Sequence, residues 1–354
     1  MEKLRSLIRP NILSMAPYSS ARDEFDAGDS AQKIMLDANE NSFGGPIDAN
    51  LARYPGSLRK QVLQRIATSK SLNPGQVFLG NGSDEAIDLL LRALVQPGRD
   101  NIIIMPPTYG MYAVQAQIQQ ADVRSAWQNP DFSPNSEAVL RVTDQQSKLL
   151  FLCSPNNPTG ACLPESFVLE MLEKFPGIVV LDEAYQEFSG KGSWISRLNE
   201  FPNLVVLQTF SKAWGLAGIR LGMAFAHPFL IQILNNIRYP YNINTSTLTL
   251  ALQALDNQDN VLTQKQLIIQ ERERMALALS SLKVVEQVYP SEANFLLIKV
   301  QDADGLYRHL LQNGLVVRNR NKEPLCQNCL RITIGRPEEN DQLLNSIQSF
   351  PINR

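Results

Sequence analysis

The sequence predicts an α/β protein: a large domain whose mostly parallel sheet is flanked by helices, followed by a smaller α+β domain. Three observations predict it. Short apolar runs recur at 77–80, 101–105, 149–153, 178–181, 204–207 and 223–226. They do not alternate with polar residues, so each reads as a strand buried on both faces, the habit of parallel sheets covered by helices. Helical or loop segments separate them, and beyond residue 284 strand patterns at 294–300, 315–318 and 330–334 mix with two helical patterns.

Size and composition agree with two cores. The chain has 354 residues, of which 44% are hydrophobic, enough for one large domain and one smaller one. A net charge of −2, with no basic tract, gives nucleic acid no support as a partner. No apolar run reaches the roughly 18 residues that span a bilayer, so a membrane is not expected. The first ten residues alternate charged and apolar side chains without a secretory pattern, which makes the cytoplasm the expected location. Cys153, Cys162, Cys326 and Cys329 are too few and dispersed for a disulfide framework, and no metal is expected; Cys326 and Cys329 have zinc-knuckle spacing but no second pair.

Taken in order, residues 1–30 are a partly amphipathic lead-in with a turn over 17–22. A short strand-like run at 34–37 enters a loop rich in Asn and Gly, and Arg53-Tyr54-Pro55-Gly56 precedes a helical pattern through Leu58, Val62, Leu63 and Ile66. After the run at 77–80, Asn81-Gly82-Ser83-Asp84-Glu85 opens a helix. Ser83 or Asp84 is the expected N-cap, and the free N–H groups of that first turn are suited to an anion; a capped helix that binds nothing is the alternative. The later runs end in polar clusters: Pro106-Pro-Thr-Tyr109-Gly-Met-Tyr112, Ser154-Pro-Asn-Asn157-Pro-Thr-Gly160, Asp182-Glu-Ala-Tyr185 and Ser211-Lys212. Polar side chains delivered at the carboxyl ends of several strands are the signature of a site in this architecture. A long helical region then runs from about 244 to 282.

The most informative stretch is 204–222. A buried strand breaks into Thr209-Phe210-Ser211-Lys212, followed by Gly-punctuated chain up to Arg220. The Lys212 amine is a potential nucleophile, while the Ser211 hydroxyl and Arg220 guanidinium suit phosphate oxygens. Together they suggest a phosphorylated aldehyde held on lysine, as pyridoxal phosphate enzymes hold theirs; a surface lysine beside an ordinary salt-bridging arginine is the other reading.

These motifs, with Tyr54-Pro55 and Cys329-Leu-Arg-Ile-Thr-Ile-Gly335, resemble the fold-type I, class II pyridoxal-phosphate-dependent aminotransferases over essentially the whole chain. The resemblance implies pyridoxal 5'-phosphate as cofactor and Lys212 as the catalytic residue that holds it and shuttles the proton. It implies that Asp182 pairs with the ring nitrogen, that Tyr185 and Asn157 bond its phenolic oxygen, and that Tyr109 stacks on the ring. For the cofactor phosphate it implies Ser83, Asp84, Ser211 and Arg220, with Tyr54 reaching the phosphate of a second subunit in a homodimer with shared active sites. For substrate it implies Arg331 as a carboxylate fork and Arg318 for a substrate phosphate, with Asn157 lining the site and Tyr18 and Asn39 folding over it. Arg318 as a solvated strand-end charge stays open. The implied division is an N-terminal arm (1–45), a cofactor-binding domain (46–244) and a helical connection with the small domain (245–354). The implied activity is amine–ketone exchange between an amino-alcohol phosphate, L-histidinol phosphate, and 2-oxoglutarate, in histidine biosynthesis. An aromatic or broad-specificity aminotransferase, or a decarboxylase of a phosphorylated amino acid, is the alternative.

Overall fold

The computed structural model describes residues 1–16, 18, 34, 36–47 and 49–351. Two compact units result, each drawn from two stretches: Met1–Gln96 with Ile195–Gln258, and Pro97–Trp194 with Asp259–Arg354. The first stretch carries helices α1 (Glu2–Leu7), α2 (Pro10–Leu13) and α3 (Leu58–Ser69), strand β1 (Val77–Asn81) and helix α4 (Gly82–Leu94). Next come β2 (Asn101–Ile104), α5 (Met111–Ile118), β3 (Asp122–Ser125), α6 (Ser136–Val142), β4 (Ser147–Cys153), α7 (Glu165–Lys174) and β5 (Ile178–Asp182). The chain then returns to the first unit with β6 (Leu204–Thr209), β7 (Leu221–Ala226), α8 (Pro228–Ile237) and α9 (Thr245–Asp256). The last stretch holds α10 (Gln258–Ser280), β8 (Val285–Val288), β9 (Phe295–Val300), α11 (Ala303–Gln312), β10 (Arg318–Asn319), β11 (Cys329–Thr333) and α12 (Pro337–Gln348).

In the first unit β7 runs antiparallel between β1 and β6, with Gly222 opposite both Gly80 and Thr209. Helix α4 buries an apolar face of Ile87, Leu90, Leu91 and Leu94, and fully burying each such side chain is worth about 1.5–3 kcal/mol. Its N-cap is Asn81 rather than Ser83 or Asp84, which both lie inside its first turn. The reason is Gly82: at φ 71° it turns the chain sharply off β1, so the helix begins one or two residues before the side chains that cap best. The later helices start as capping rules dictate. His227 Nδ1 accepts from the Phe229 amide with Pro228 in the first turn, and Asn244 Oδ1 accepts from the Thr247 amide.

In the second unit β2, β3, β4 and β5 pair in parallel, in the order β5-β4-β2-β3. Every residue of β5 is buried, as its unbroken apolar run requires. The register sets Cys153 beside Asp182, so β4 and β5 end at the same level. The C-terminal stretch forms an antiparallel sheet ordered β10-β11-β9-β8. Strand β9 alternates faces: Leu296, Ile298 and Val300 join Met275, Leu306, Leu310, Leu330 and Ile347 in one core, whereas Leu297 packs with Phe132, Cys326 and Cys329 in another.

Several local expectations differ. Ile34, Leu36 and Asp37 form no strand, and Ile34 and Leu36 stand exposed, without the cover a strand of that composition needs. The turn over 17–22 lies, Tyr18 apart, outside the described residues. The strand expected at 315–318 contracts to β10. Strands β3 and β8 escaped the sequence reading because their sequences, DVRS and VEQV, are short and polar and are held by ladder bonds rather than by burial. All four cysteines are free thiols, and among the described residues no helix is long and apolar enough to cross a membrane.

Candidate active site

The first unit builds an anion cradle from β7 and α4. Arg220 adopts the left-handed conformation (φ 55°), which turns its carbonyl to accept from the Gly82 amide at 2.7 Å. Its guanidinium lies 3.5 Å from Asp84 Oδ2. A Cβ on Gly222 would stand 2.1 Å from the Ser83 nitrogen, and one on Gly82 would stand 2.8 Å from Arg220 Nη2. Two glycines therefore let β7, the first turn of α4 and the Arg220 fork approach each other. The cradle is braced behind by Glu85, whose carboxylate accepts from the Asn81 amide at 2.5 Å and from Asn242 Nδ2. Ser83 and Asp84 contribute first-turn amides with the positive end of the helix dipole, the environment an anionic oxygen prefers. The Asp84 carboxylate already faces Arg220, so its side chain offers an anion nothing.

Lys212 and Ser211 sit in the turn just past β6, both half-buried. The turn is tied down by its own backbone: the Phe210 amide donates to Leu221 O, the Ser211 amide to Thr209 Oγ1 and the Gly215 amide to Lys212 O. Tyr54 stacks on Tyr241, ring centroids 4.5 Å apart, and its amide donates to Glu40 Oε1. Tyr18 (74% exposed) and Asn39 (φ 54°) both lie at the surface.

The second unit gathers the carboxylate and the forks. Asp182 closes β5 and is 3% exposed. Its Oδ2 accepts from the Tyr112 hydroxyl at 2.6 Å and its Oδ1 from the Ala184 amide at 3.0 Å. Tyr112 is fully buried, stacked on Phe151 at 4.6 Å, and the ring of Tyr109 meets it edge-on. Burial, with Asp182 next to it, pushes the Tyr112 hydroxyl well above the usual tyrosine range, so it stays a donor. Tyr185 stands edge-on to Phe295, and burial raises its hydroxyl as well, against the opposing influence of Arg331.

Asn157 is buried, and its Oδ1 accepts from both Arg331 and Arg320. The Arg331 guanidinium also lies over Phe295, 5.2 Å from the ring centroid. Burial lowers its pKa, and the charge of Arg320 acts in the same direction. Its Nε is buried without a hydrogen-bond partner, a donor in want of an acceptor. Arg318, directly across the ladder from Arg331, is exposed.

The structure thus brings Ser83, Asp84 and Arg220 together in one unit, and Asn157, Arg331, Tyr185 and Phe295 in the other. Sequence reasoning overlooked Tyr112 as the partner of Asp182, Arg320, and Glu323, which pairs with Arg320. The signal for Tyr112 was present, because a tyrosine on the apolar face of a helix needs a buried acceptor for its hydroxyl. Nothing local marks Arg320 in Arg318-Asn319-Arg320; only the fold brings it to Asn157.

Residues 31–347 match the family described as aminotransferase class I and II. The chain belongs to that family. It is 47% identical to the histidinol-phosphate aminotransferase of Parabacteroides distasonis over 99% of this chain and 100% of that protein. Solved structures show the shared fold. The histidinol-phosphate aminotransferase of Sinorhizobium meliloti in complex with pyridoxal-5'-phosphate superposes with a TM-score of 0.78 at 23% identity, covering 96% of each chain. L-threonine-O-3-phosphate decarboxylase of Porphyromonas gingivalis superposes at 0.71 with 23% identity, covering 85% of this chain and 91% of that one. The large mostly parallel sheet with helices and the smaller α+β domain expected from the sequence are the fold these proteins share, the smaller domain's sheet being antiparallel.

Proposed function

We propose that the chain is a pyridoxal-phosphate-dependent transaminase. It converts L-histidinol phosphate and 2-oxoglutarate to imidazole-acetol phosphate and L-glutamate, a step of histidine biosynthesis. The observation that carries the reading is the near-full-length identity of 47% to an enzyme of that name. The fold alone does not choose, since a phospho-amino-acid decarboxylase shares it.

The residues fit the cofactor. The glycines at 82 and 222 bring β7, the first-turn amides of α4 and the Arg220 fork together, a donor set suited to a phosphate, and the buried carboxylate of Asp182 is held in one orientation by two donors. When bound, pyridoxal phosphate supplies an aldehyde to take up the amine and an electron-withdrawing ring. Lys212 Nζ would hold that aldehyde, and the same amine would move the proton at the substrate's amine-bearing carbon. Asp182 would keep the ring nitrogen protonated. Tyr185 and Asn157 would bond the phenolic oxygen, and Tyr109 would cover the ring. The amides of Ser83 and Asp84, the Ser211 hydroxyl and the Arg220 fork hold the phosphate, with Tyr54 contributed from a second copy in a homodimer. Arg331 grips the carboxylate of glutamate and 2-oxoglutarate, Arg318 serves the substrate phosphate, and Tyr18 and Asn39 close over the site. In this reading residues 46–244 hold the cofactor, 245–354 carry the arginines and 1–45 form the arm, in a cytoplasmic enzyme of small-molecule substrates.

The test is turnover by the purified holoenzyme. Formation of glutamate from L-histidinol phosphate and 2-oxoglutarate without carbon dioxide release is expected. Faster turnover of phenylalanine, or carbon dioxide release, overturns the assignment in favour of an aromatic aminotransferase or a decarboxylase.

A further inference from the structure

Arg320 sits just past the end of β10, and its amide continues the ladder by donating to Cys329 O at 2.9 Å. Side chains alternate along a strand, so Arg318 and Arg320 share a face with Arg331, the residue opposite Arg318. Arg318 points to solvent, whereas the Arg320 side chain is only 14% exposed. The short loop that carries it is fixed at both shoulders: Asn319 and Asn321 donate to the two carboxylate oxygens of Asp304, at 2.6 and 3.0 Å. Arg320 Nη1 pairs with Glu323, and its Nη2 reaches Asn157 Oδ1, the oxygen that also accepts from Arg331.

Two guanidinium ions therefore meet on one neutral oxygen, with Glu323 as the carboxylate beside them. The Nε atoms of Arg320 and Arg331 are both buried without an acceptor. Like charges packed at a shared neutral acceptor form a site that an anion completes. One fork suffices for a carboxylate; two suit a phosphomonoester dianion. We infer that Arg320, positioned by Glu323, joins Arg331 as a substrate-specificity residue that reads the dianionic phosphate of the amino donor.

The inference rests on the reading of the chain as a transaminase of a phosphorylated amino alcohol, and the experiment separates the two. The ratio of kcat/KM for L-histidinol phosphate to that for L-histidinol is measured in wild-type holoenzyme, R320Q, R320K and E323Q. Inorganic phosphate is titrated calorimetrically into the same holoenzymes, whose cofactor site is already filled. R320Q is expected to lower the ratio and the phosphate affinity by about tenfold or more, the size of one lost charged fork. R320K should fall between R320Q and wild type, and E323Q should raise KM for L-histidinol phosphate while leaving its kcat in place. If R320Q is poorly folded, R320K and E323Q carry the test. An unchanged ratio in the folded variants overturns the inference. If the wild-type enzyme turns over no histidinol phosphate, the functional reading fails instead, and Arg320 is judged by the phosphate titration, where unchanged affinity overturns its role.

Discussion

The hydroxyl of Tyr112 donates to Oδ2 of Asp182 across 2.6 Å, with both side chains buried. A carboxylate in that position is expensive to bury and is tolerated because each oxygen has a donor, the tyrosine on one side and the Ala184 amide on the other. The tyrosine is in turn fixed by its stack on Phe151. Helix α5 thus delivers a second group to the end of β5, and the orientation of Asp182 depends on it.

Replacing Tyr112 with Phe keeps the stacked ring and removes only the donor. The variant is expected to lose about 1–3 kcal/mol of stability, the cost of leaving a buried acceptor unsatisfied, and to bind pyridoxal phosphate more weakly. Urea denaturation of apo and holo forms checks both; wild-type stability and affinity would show that Asp182 is held by other means.

The same corner makes the protein sensitive to alkali. Burial raises Tyr112, Tyr185 and Cys153 above their ordinary values. Unfolded tyrosine and cysteine titrate near about 10 and 8.5. Below those values both states hold their protons and stability is independent of these groups. Above them the unfolded chain releases protons that the folded chain keeps, so stability falls as pH rises. The urea midpoint is expected to decline from about pH 8.5 upward, less steeply in Y112F and C153A. A flat profile to pH 11 contradicts the assignment.

Close approach of β7 to α4 yields a sharper test. Gly222→Ala places a methyl 2.1 Å from the Ser83 nitrogen, so backbone must move. A loss of about 1–3 kcal/mol or more is expected, together with reduced cofactor affinity, because the displaced amide belongs to the cradle. Gly218→Ala, with no atom within 4 Å of its new methyl, should stay within about 0.5 kcal/mol of wild type. Equal effects from the two substitutions would remove the cradle from the account.

For Arg331, lysine keeps the charge and loses the fork. R331K is expected to raise KM for glutamate and for 2-oxoglutarate by about tenfold or more, with cofactor affinity unchanged. A matching fall in cofactor affinity would mean that the residue is structural.

Much of this was legible in the chain because strand ends announce themselves. Unbroken apolar runs gave β4, β5 and β6, and the polar residues closing them, Asp182 and Lys212 among them, fell where an α/β sheet presents chemistry. Relationships that only tertiary structure creates were not legible. Arg318 and Arg320 are indistinguishable as text, yet the fold exposes one and buries the other beside Asn157. The N-cap of α4 moved to Asn81 because a left-handed Gly82 overrode the capping preference of Ser83 and Asp84. Short polar strands such as β3 carry no periodic signal, since their neighbours in the sheet supply the order.

The central claim is that the amine of Lys212 carries pyridoxal phosphate. Borohydride reduction of the holoenzyme followed by peptide mapping tests it most directly: loss of the visible absorbance with the reduced cofactor attached at Lys212 is the predicted result. Label on a different lysine, or a protein that stays colourless when pyridoxal phosphate is added, would contradict the account.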